Sequence, residues 1–379
     1  MRIYYWSPCL EKVGTYKSTI HSAISLAKYS KEKKIKIINA CGEWNEKKDF
    51  FNRNNVEVIN FGFNYFKFLP KLGFLGSRFS YIIIFITSFF PLLKILIKDK
   101  PDYLVIHLIT SLPLFLNSLI KNKTKIILRI SGFPQLNYLR KYFWKFSGRK
   151  IYKITCPSVE LEKQLIEYDL FDRDKVLFLA DPIIRIKEFI TKISKNNRQS
   201  KIIYKKNFFI SVGRLTKQKN FGYMINEFGD FIYKNENFDL LIFGEGEDRQ
   251  KLEEIINKRK LQNNVKLMGY SENIFQYMKK AEAFILSSLW EDPGFVLIES
   301  AMSNLFIISS NCKNGPKEIL LNGKGGLLFE SNQKGELKKK LDLFLNLDRK
   351  KNKMKLVTKK NILKYTLLRH HKILEKILL

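Results

Sequence analysis

The feature that constrains the fold most is a short, mainly apolar run that ends in a glycine and two cations. Phe208 to Val212 has the length of a strand, Gly213 supplies a turn, and Arg214 and Lys219 follow five residues apart, ahead of a helical pattern. This order predicts a strand, a tight turn and a helix. Because open parallel sheets bind ligands at the carboxyl ends of their strands, the two cations predict a site for an anion.

A second element follows some seventy residues later, where two glutamates flank an Asp-Pro-Gly turn. Asp292 is a favourable N-cap and Pro293 fits the first helical position, where its missing N–H costs nothing. The sequence therefore predicts a helix that begins at this turn and ends at Met302.

The predicted helix would bring two carboxylates to one ligand. Glu291 would lie just outside the helix and Glu299 about two turns in, so both could face the same group. The N–H groups of Gly294 and Phe295 would point at an anion between them, and Gly294 would let the ligand approach the backbone closely. The alternative is that both glutamates are solvated surface residues.

Together the two elements resemble the donor-binding half of a family 4 retaining glycosyltransferase with the GT-B architecture. The resemblance extends over about 120 residues in the family's order and spacing. The motifs that carry it are Gly213-Arg214-Leu215 with Lys219, Gly244-Glu245-Gly246 with Asp248-Arg249, Asn264 to Gly269, Ser287 to Glu291, Glu299 to Met302, and Gly315 to Ile319.

This resemblance implies an α/β fold of two doubly wound, Rossmann-like domains that face a central cleft. It also implies that Arg214 and Lys219 neutralise the diphosphate of a nucleotide-sugar, that Glu299 binds the ribose hydroxyls and that Glu291 contacts the donor sugar. Cations suit phosphate oxygens and carboxylates suit hydroxyl donors. The predicted catalytic residues are His107, Arg214, Lys219 and Glu291, and the predicted donor-binding residues are Gly14, Gly213, Arg214, Lys219, Gly244, Gly246, Asp292, Pro293, Gly294, Phe295 and Glu299.

Strand and helix patterns alternate along the whole chain, which predicts two α/β halves. A polar stretch without clean core periodicity predicts a linker at residues 186–206. Residues 1–185 would form the acceptor-binding domain and residues 207–350 the nucleotide-sugar-binding domain. Helices over residues 351–379 would close the chain, and in this fold the last helix often crosses back to the first domain.

Candidate residues are sparser in the amino-terminal half. His107 follows a predicted strand, and a similar strand in several relatives ends in a histidine beside the donor sugar; a packed or capping histidine is the alternative. The loop before the first helix carries Gly14, where relatives have a glycine pair, so only part of that motif is present. Arg129 ends another predicted strand and fits either a phosphate or acceptor contact or a structural ion pair.

The net charge of +32 raises the question of nucleic acid binding. Basic residues are scattered along the chain, lysine outnumbers arginine, and no zinc-finger, helix-turn-helix or RNP-like motif accompanies them. Attraction to the anionic cytoplasmic leaflet of a membrane explains the charge better, at about 1 kcal/mol per nearby lysine. We therefore expect peripheral contact with an anionic membrane and no nucleic acid partner.

The stretch 61–97 is aromatic and apolar with interspersed cations. Its longest apolar run, residues 81–90, is shorter than the roughly 20 residues that span a bilayer, and Pro91 and Lys94 are expected to interrupt it. The sequence therefore favours a packed helix of the first domain, with a surface that dips into the lipid interface as the alternative.

Four well-separated cysteines without a C-x-x-C pair indicate neither a disulfide framework nor a zinc site. The amino terminus breaks after four apolar residues, too few for a signal-peptide core. These features predict a cytoplasmic protein, peripheral on the inner face of the plasma membrane.

The predicted activity is transfer of a sugar, with retention of configuration, from a nucleotide diphosphate sugar to an acceptor hydroxyl. The donor is expected to be linked to UDP or GDP, and no cofactor or metal ion is expected. The predicted acceptor is a lipid-linked glycan of a surface polysaccharide, either O-antigen or capsule. The alternatives are a nucleotide-sugar hydrolase or epimerase of the same fold, and a non-catalytic basic scaffold that binds membranes or polyanions.

Overall fold

A computed structural model describes residues 1–10, 14–70, 74–132, 134, 136–195, 206–272 and 274–379. The chain divides into two compact units. The first comprises Met1–Ile183 and Tyr365–Leu379, and the second comprises Ile184–Lys364. Each unit has a parallel β-sheet of its own with helices packed around it.

The first unit contains a seven-stranded parallel sheet in the order β3-β2-β1-β4-β5-β6-β7. Its strands are β1 Arg2–Trp6, β2 Lys34–Asn39, β3 Val56–Asn60, β4 Tyr103–Ile106, β5 Lys125–Arg129, β6 Lys153–Cys156 and β7 Val176–Phe178. Its helices are α1 Gly14–Tyr29, α2 Lys48–Arg53, α3 Phe74–Lys94, α4 Ser111–Leu119, α5 Tyr138–Gly148, α6 Val159–Glu167 and, from the chain's end, α15 Leu367–Leu378.

The second unit contains a six-stranded parallel sheet in the order β10-β9-β8-β11-β12-β13. Its strands are β8 Asn207–Val212, β9 Phe238–Phe243, β10 Val265–Gly269, β11 Ala283–Leu286, β12 Phe306–Ser310 and β13 Leu327–Phe329. Its helices are α7 Ile186–Lys195, α8 Phe221–Ile232, α9 Arg249–Lys258, α10 Ile274–Lys280, α11 Phe295–Met302, α12 Pro316–Ile319, α13 Glu336–Leu345 and α14 Lys350–Asn361.

Both sheets are doubly wound. In each, the chain builds outward from the first strand in one direction and then returns to add strands on the other side, so the strand order reverses beside β1 and beside β8. The central strands are buried on both faces, as in Ile126–Leu128 and Leu240–Ile242, which explains why they read as continuous apolar runs. The predicted class of two Rossmann-like α/β domains is confirmed.

The segment predicted as a linker is in part a helix. Residues 186–195 form α7, and Phe189 packs edge-to-face on Phe275 of α10, with ring centroids 5.2 Å apart. Phe189 thus attaches this helix to the second unit, whereas Ile186 and Ile190 of the same helix are 50% and 58% exposed. Residues 196–205, the rest of the predicted linker, lie outside the described residues.

The last helix belongs to the first unit, whereas α14 remains with the second. A buried hydrogen-bond chain fixes α15 in place. His370 Nδ1 lies 2.7 Å from the Ala180 carbonyl oxygen and therefore donates to it, so the neutral Nε2 accepts from Ser22 Oγ at 2.9 Å. Ser22 Oγ accepts in turn from the Tyr5 hydroxyl at 3.0 Å, which ties α15, α1 and β1 together.

Arg129 forms a structural ion pair. Its Nη2 donates to Asp181 Oδ1 at 2.6 Å and its Nη1 to the Leu179 carbonyl at 2.7 Å, and both charged side chains are buried. Ser18 Oγ donates to the same Asp181 oxygen. Of the two interpretations of Arg129 that the sequence left open, the structure shows the ion pair.

The apolar stretch 61–97 forms, over most of its length, the helix α3, and Pro91 does not interrupt it. A proline inside a helix costs about 3 kcal/mol, and burial of Leu92, Ile95 and Leu96 beyond it offsets that loss. Among the described residues, one helical stretch, Gly76–Asp99, is long and apolar enough to cross a membrane by length and composition alone. One side of it packs in the core of the first unit.

Burial makes the first unit sensitive to acid. Desolvation lowers the pKa of His370 to about 3, and it lowers the pKa values of His107 and His371 as well. The unfolded chain binds protons at these histidines near pH 6.5, whereas the folded chain keeps them neutral. Their contribution to stability is therefore complete above pH 6.5 and is lost as the pH falls below it, at up to about 1.4 kcal/mol per pH unit for each histidine.

We expect the free energy of unfolding of the first unit to be lower at pH 5.5 than at pH 7.5, as measured by urea titration of the whole protein. His370→Gln keeps one donor and one acceptor but cannot be protonated, so it should reduce this pH dependence. An equal pH dependence in the variant and the native protein would show that His370 does not contribute to it.

Candidate active site

The candidate site lies at the carboxyl end of the second sheet, beside the point where its strand order reverses. β8 lies between β9 and β11, and the connections after these strands carry the predicted residues. In doubly wound sheets the connections on the two sides of such a point diverge and leave a crevice for a ligand. Arg214, Lys219 and Glu291 therefore lie on loops that this topology brings together, and Glu299 lies on the helix that follows Glu291.

Glycine allows the loop after β8 to pack tightly. The Gly213 N–H donates to the Phe243 carbonyl at 3.0 Å, and a Cβ on Gly213 would lie 3.1 Å from the Lys219 side chain. Lys219 ends a short turn, Lys217–Lys219, directly before α8, and its aliphatic stem passes over Gly213. Arg214 lies on the same loop with its side chain exposed.

Lys219 and Glu291 form the charged centre of the site. The Lys219 ammonium donates to Glu291 Oε1 at 2.5 Å, and Ser288 Oγ donates to the same oxygen at 2.5 Å. The side chains retain only 13% and 6% of their exposure. Within the described part of the chain this is the one hydrogen bond of the ammonium, which has three N–H donors, and Glu291 Oε2 accepts none. Donors and an acceptor are thus held in place for a ligand.

Two more glycines bring the loops after β8 and β9 into backbone contact. A Cβ on Gly244 would lie 1.9 Å from the Gly213 carbonyl oxygen, and a Cβ on Gly246 would lie 2.3 Å from that of Leu215. Leu215 N donates to the Glu245 carbonyl at 2.9 Å. Only glycine fits at these two positions, which gives Gly244 and Gly246 a structural reason that the motif alone did not supply.

The turn before α11 differs from the predicted one. The helix begins at Phe295, and Gly294, with φ of 90°, is the N-cap; the Asp292–Pro293 peptide bond is cis. Asp292 does not cap the helix, because its Oδ1 accepts from Asn314 Nδ2 at 3.2 Å. A Cβ on Gly315 would lie 1.9 Å from the Pro293 carbonyl oxygen, so contact with the loop after β12 keeps Pro293 outside the helix.

This turn nevertheless leaves the start of α11 open. No side chain among the described residues caps the helix, so its first N–H groups are available to an anion. Gly294 is needed for its positive φ, since a side chain there would meet neighbours only at 3.4 Å or more. Glu299 lies on the second turn of α11 and is half-buried.

Two serines and a glutamine that the sequence analysis did not assign roles to hold the loop after β11. Ser287 Oγ donates to the Lys219 carbonyl at 2.8 Å, and Gln218 Nε2 donates to the Trp290 carbonyl at 2.9 Å. Ser288, as noted, donates to Glu291. These hydrogen bonds join loops that are distant in sequence, so local sequence patterns do not predict them. The signal that could have indicated them is the motif Ser287 to Glu291, which contains both serines.

The remaining predicted residues belong to the first unit. His107 follows β4, its N–H donates to the Trp6 carbonyl at 3.0 Å, and its buried Nδ1 has no hydrogen-bond partner in the described chain. Burial, and then the charges of Arg129 and His370, lower its pKa well below the usual value, so its ring is neutral at physiological pH. Gly14 is the first residue of α1, and residues 11–13 of the loop before it lie outside the described residues.

The structure thus brings Gly213, Lys219, Gly244 and Glu291 together through direct contacts. Arg214 lies on the loop that carries Gly213 and Lys219, and Glu299 lies on α11, the helix that follows Glu291. All four cysteines are buried, and none of them forms a disulfide. Within the described ranges, no three His, Cys, Asp or Glu side chains lie close enough together to hold a metal ion.

Comparison with known proteins agrees with this geometry. Residues 192–361 match the family model described as Glycosyl transferases group 1. The crystal structure of Anabaena HepE in complex with UDP superposes with a TM-score of 0.74 at 14% identity, over 99% of both chains. The fold is GT-B. The family match and the GT-B fold together support a glycosyltransferase.

Two curated relatives extend the comparison. The GT-B chain is 34% identical over 253 residues to an uncharacterized glycosyltransferase of Methanocaldococcus jannaschii, and the match spans 61% of each protein. It is 28% identical over 350 residues, 91% of its length and 89% of the relative's, to an α-1,4-N-acetyl-D-galactosaminyltransferase of Campylobacter jejuni. The name of the Campylobacter enzyme specifies an undecaprenol-diphosphate-linked saccharide.

The glycine contacts can be tested directly. Gly244→Ala should destabilise the second unit by about 2–4 kcal/mol, because its Cβ would overlap the Gly213 carbonyl in addition to the strain of a positive φ. Gly335→Ala is the matched control, since Gly335 also has a positive φ, 80°, but its Cβ would meet nothing within 4 Å; we expect about 1 kcal/mol. Equal losses in the two variants, measured by urea unfolding, would argue against the close contact.

Proposed function

We propose that this protein is a family 4 retaining glycosyltransferase that moves a sugar from a nucleotide diphosphate donor to an acceptor hydroxyl. The observation that carries the proposal is the Lys219–Glu291 pair beside the open end of α11, at the point where the strand order of the second sheet reverses. Within the part of the chain that the structure describes, a cation, uncapped helix N–H groups and a carboxylate oxygen that accepts no hydrogen bond form a set that suits a diphosphate and the hydroxyls attached through it.

The same groups suit the transition state of the transfer. As the bond between the anomeric carbon and the diphosphate breaks, negative charge grows on the leaving phosphate oxygen. Arg214, Lys219 and the amino end of α11 would stabilise that charge without reorganisation, because the loops that carry them are already packed. In this proposal the cations perform the task of a metal ion, no cofactor is needed, and the leaving oxygen takes the acceptor proton on the face from which it departs.

The remaining donor contacts follow the assigned roles. Glu291 Oε2 would accept from a hydroxyl of the donor sugar and Glu299 from the ribose hydroxyls. His107 would contact the donor sugar as a neutral imidazole, because burial keeps it unprotonated. UDP and GDP sugars are the proposed donors, and UDP is the ligand in the Anabaena neighbour.

For the acceptor we propose a lipid-linked glycan of a surface polysaccharide, O-antigen or capsule, at the cytoplasmic face of the plasma membrane. The Campylobacter relative's named saccharide is carried on undecaprenol diphosphate, which supports this class. A donor from the cytoplasm and an acceptor in the membrane would require the enzyme to work at the bilayer surface. The net charge of +32 suits peripheral contact with anionic lipid.

Glu299→Gln and Lys219→Ala should each reduce turnover at least about a hundredfold while the protein still folds. Lys219→Ala also leaves Glu291 buried without its counter-ion, so it should lower stability, whereas Lys219→Met combined with Glu291→Gln should restore stability but not activity. Turnover and urea unfolding measured on the same preparations separate the two effects. Near-native transfer in either single variant would contradict the assigned roles.

The substrates can be identified in two steps. A panel of UDP and GDP sugars should contain at least one that raises the melting temperature, because a ligand bound only by the native state stabilises it by RT ln(1 + [L]/Kd). Incubation of that donor with an undecaprenyl-diphosphate-linked saccharide should give a product of unchanged anomeric configuration by NMR, and EDTA should not inhibit its formation. Release of free sugar at the same rate without acceptor would indicate a hydrolase instead.

A further inference from the structure

The helix α3 exposes an apolar stripe on the side opposite the core of the first unit. Phe79, Ile82, Ile86 and Phe90 are between 56% and 75% exposed. Helical geometry places these four side chains within about 80° of one another around the axis. An exposed apolar stripe of this length is unusual for a monomeric soluble surface and indicates a binding face.

The helix α5 repeats this arrangement. Tyr138, Leu139, Tyr142 and Phe146 are between 57% and 92% exposed, on the side opposite the buried Trp144. They lie within about 100° of arc. Two tyrosines with a leucine and a phenylalanine form an amphipathic surface of the kind found at membrane interfaces, where the rings lie in the headgroup layer.

The two stripes belong to one surface. On α4, which lies between the two helices in sequence, Phe115 packs against Phe85 and Phe89 of α3, with centroid distances of 6.3 and 6.5 Å. Arg140 of α5 is close enough to Arg78 of α3 for the charge of Arg78, after burial, to lower its pKa. The exposed stripes of α3 and α5 therefore lie in the same region of the first unit, with a guanidinium group on each helix.

The charge of this region is strongly one-sided. Residues 58–159, which include α3, α4 and α5, contain sixteen lysines and arginines, of which Arg129 is buried, and only two acidic residues, Asp99 and Asp102. Lys94 lies beside the exposed stripe of α3, and Lys141 and Lys145 lie beside that of α5, by their positions on the helices. Long basic side chains beside an apolar stripe can reach phosphates while their stems remain in the apolar layer.

We propose that the exposed stripes of α3 and α5, together with Arg78 and Arg140, form a bilayer-docking surface that we call the α3–α5 face. Its aromatic and aliphatic side chains would enter the interface of an anionic membrane, and its basic side chains would lie among the lipid headgroups. This proposal deepens the proposed function by naming the surface that holds the enzyme at the membrane, and it rests on that function for the lipid-linked nature of the acceptor.

Charge and exposure together select an anionic phospholipid surface over other occupants. A nucleic acid could bind the cations, but the exposed apolar side chains from Phe79 to Phe90 would remain in contact with water. A bilayer satisfies both, since the acyl boundary accepts the apolar stripes while the headgroups accept the cations. Each basic residue near such a surface is worth about fivefold in partitioning.

Vesicle flotation tests this face without donor or acceptor. The native protein should bind vesicles of phosphatidylcholine and phosphatidylglycerol in equal parts at least about tenfold more tightly than vesicles of phosphatidylcholine alone. Leu139→Glu with Tyr142→Glu, and Ile86→Glu with Phe90→Glu, should each reduce binding to the mixed vesicles at least about tenfold. Arg78→Gln with Arg140→Gln should remove most of the preference for the anionic lipid.

Matched controls lie in the second unit. Tyr233→Glu with Leu343→Glu adds the same charge at exposed apolar positions, and Lys251→Gln with Lys258→Gln removes the same charge from α9. Both controls should bind like the native protein, and unchanged melting temperatures should show that every variant is folded. Native-like binding by the three face variants, or equal binding of the native protein to both vesicles, would overturn the proposal.

Two further results would show whether the α3–α5 face or the proposed function is wrong. If the face variants kept vesicle binding but lost binding to a single-stranded RNA oligonucleotide, the surface would be a nucleic acid site and not a bilayer site. If vesicle binding behaved as expected while no sugar in the UDP and GDP panel protected the protein, the α3–α5 face would stand and the proposed function would fail. If a nucleotide-sugar protected the protein but the native protein did not bind the anionic vesicles, the proposed function would stand and the α3–α5 face would fail.

Discussion

The second unit depends on a backbone contact that only glycine permits. The loops after β8 and β9 approach so closely that a Cβ on Gly244 would lie 1.9 Å from the Gly213 carbonyl oxygen. This contact fixes the loop after β8, which carries Lys219, and the Lys219 side chain reaches Glu291 on the loop after β11. Loop packing therefore holds the Lys219–Glu291 pair in place. This packing is possible because Gly244 and Gly246 have no side chains.

The first unit is closed by polar groups instead. α15 arrives from the end of the chain, and the hydrogen-bond chain through His370, Ser22 and Tyr5 replaces the water that its polar atoms would otherwise bind. The nearby pair of Arg129 and Asp181 satisfies two charges in the same interior. Because buried polar groups are costly when unpaired, these contacts specify where the helix docks more strictly than apolar packing alone would.

The two units also differ in the chemistry of their surfaces. The candidate donor site belongs to the second unit, whereas the first exposes the apolar stripes of α3 and α5 within a strongly basic stretch, residues 58–159. Whole-chain composition hides this difference, because basic residues occur in both units. A division between soluble donor and membrane-borne acceptor would account for both features in one enzyme.

The sequence by itself determined the doubly wound class, through apolar strands that alternate with helices, and the donor motif, through Lys219, Glu291 and their glycines. It failed where contacts between distant segments override local preference: Asp292 suits an N-cap, but packing against Gly315 starts the helix at Phe295. Residues 186–195 were predicted as part of a linker because they lead into a polar, lysine-rich stretch, but they form α7, in which Phe189 packs on Phe275. Only the tertiary structure decided these points, since the energy of a loop or helix end depends on partners that are remote in sequence.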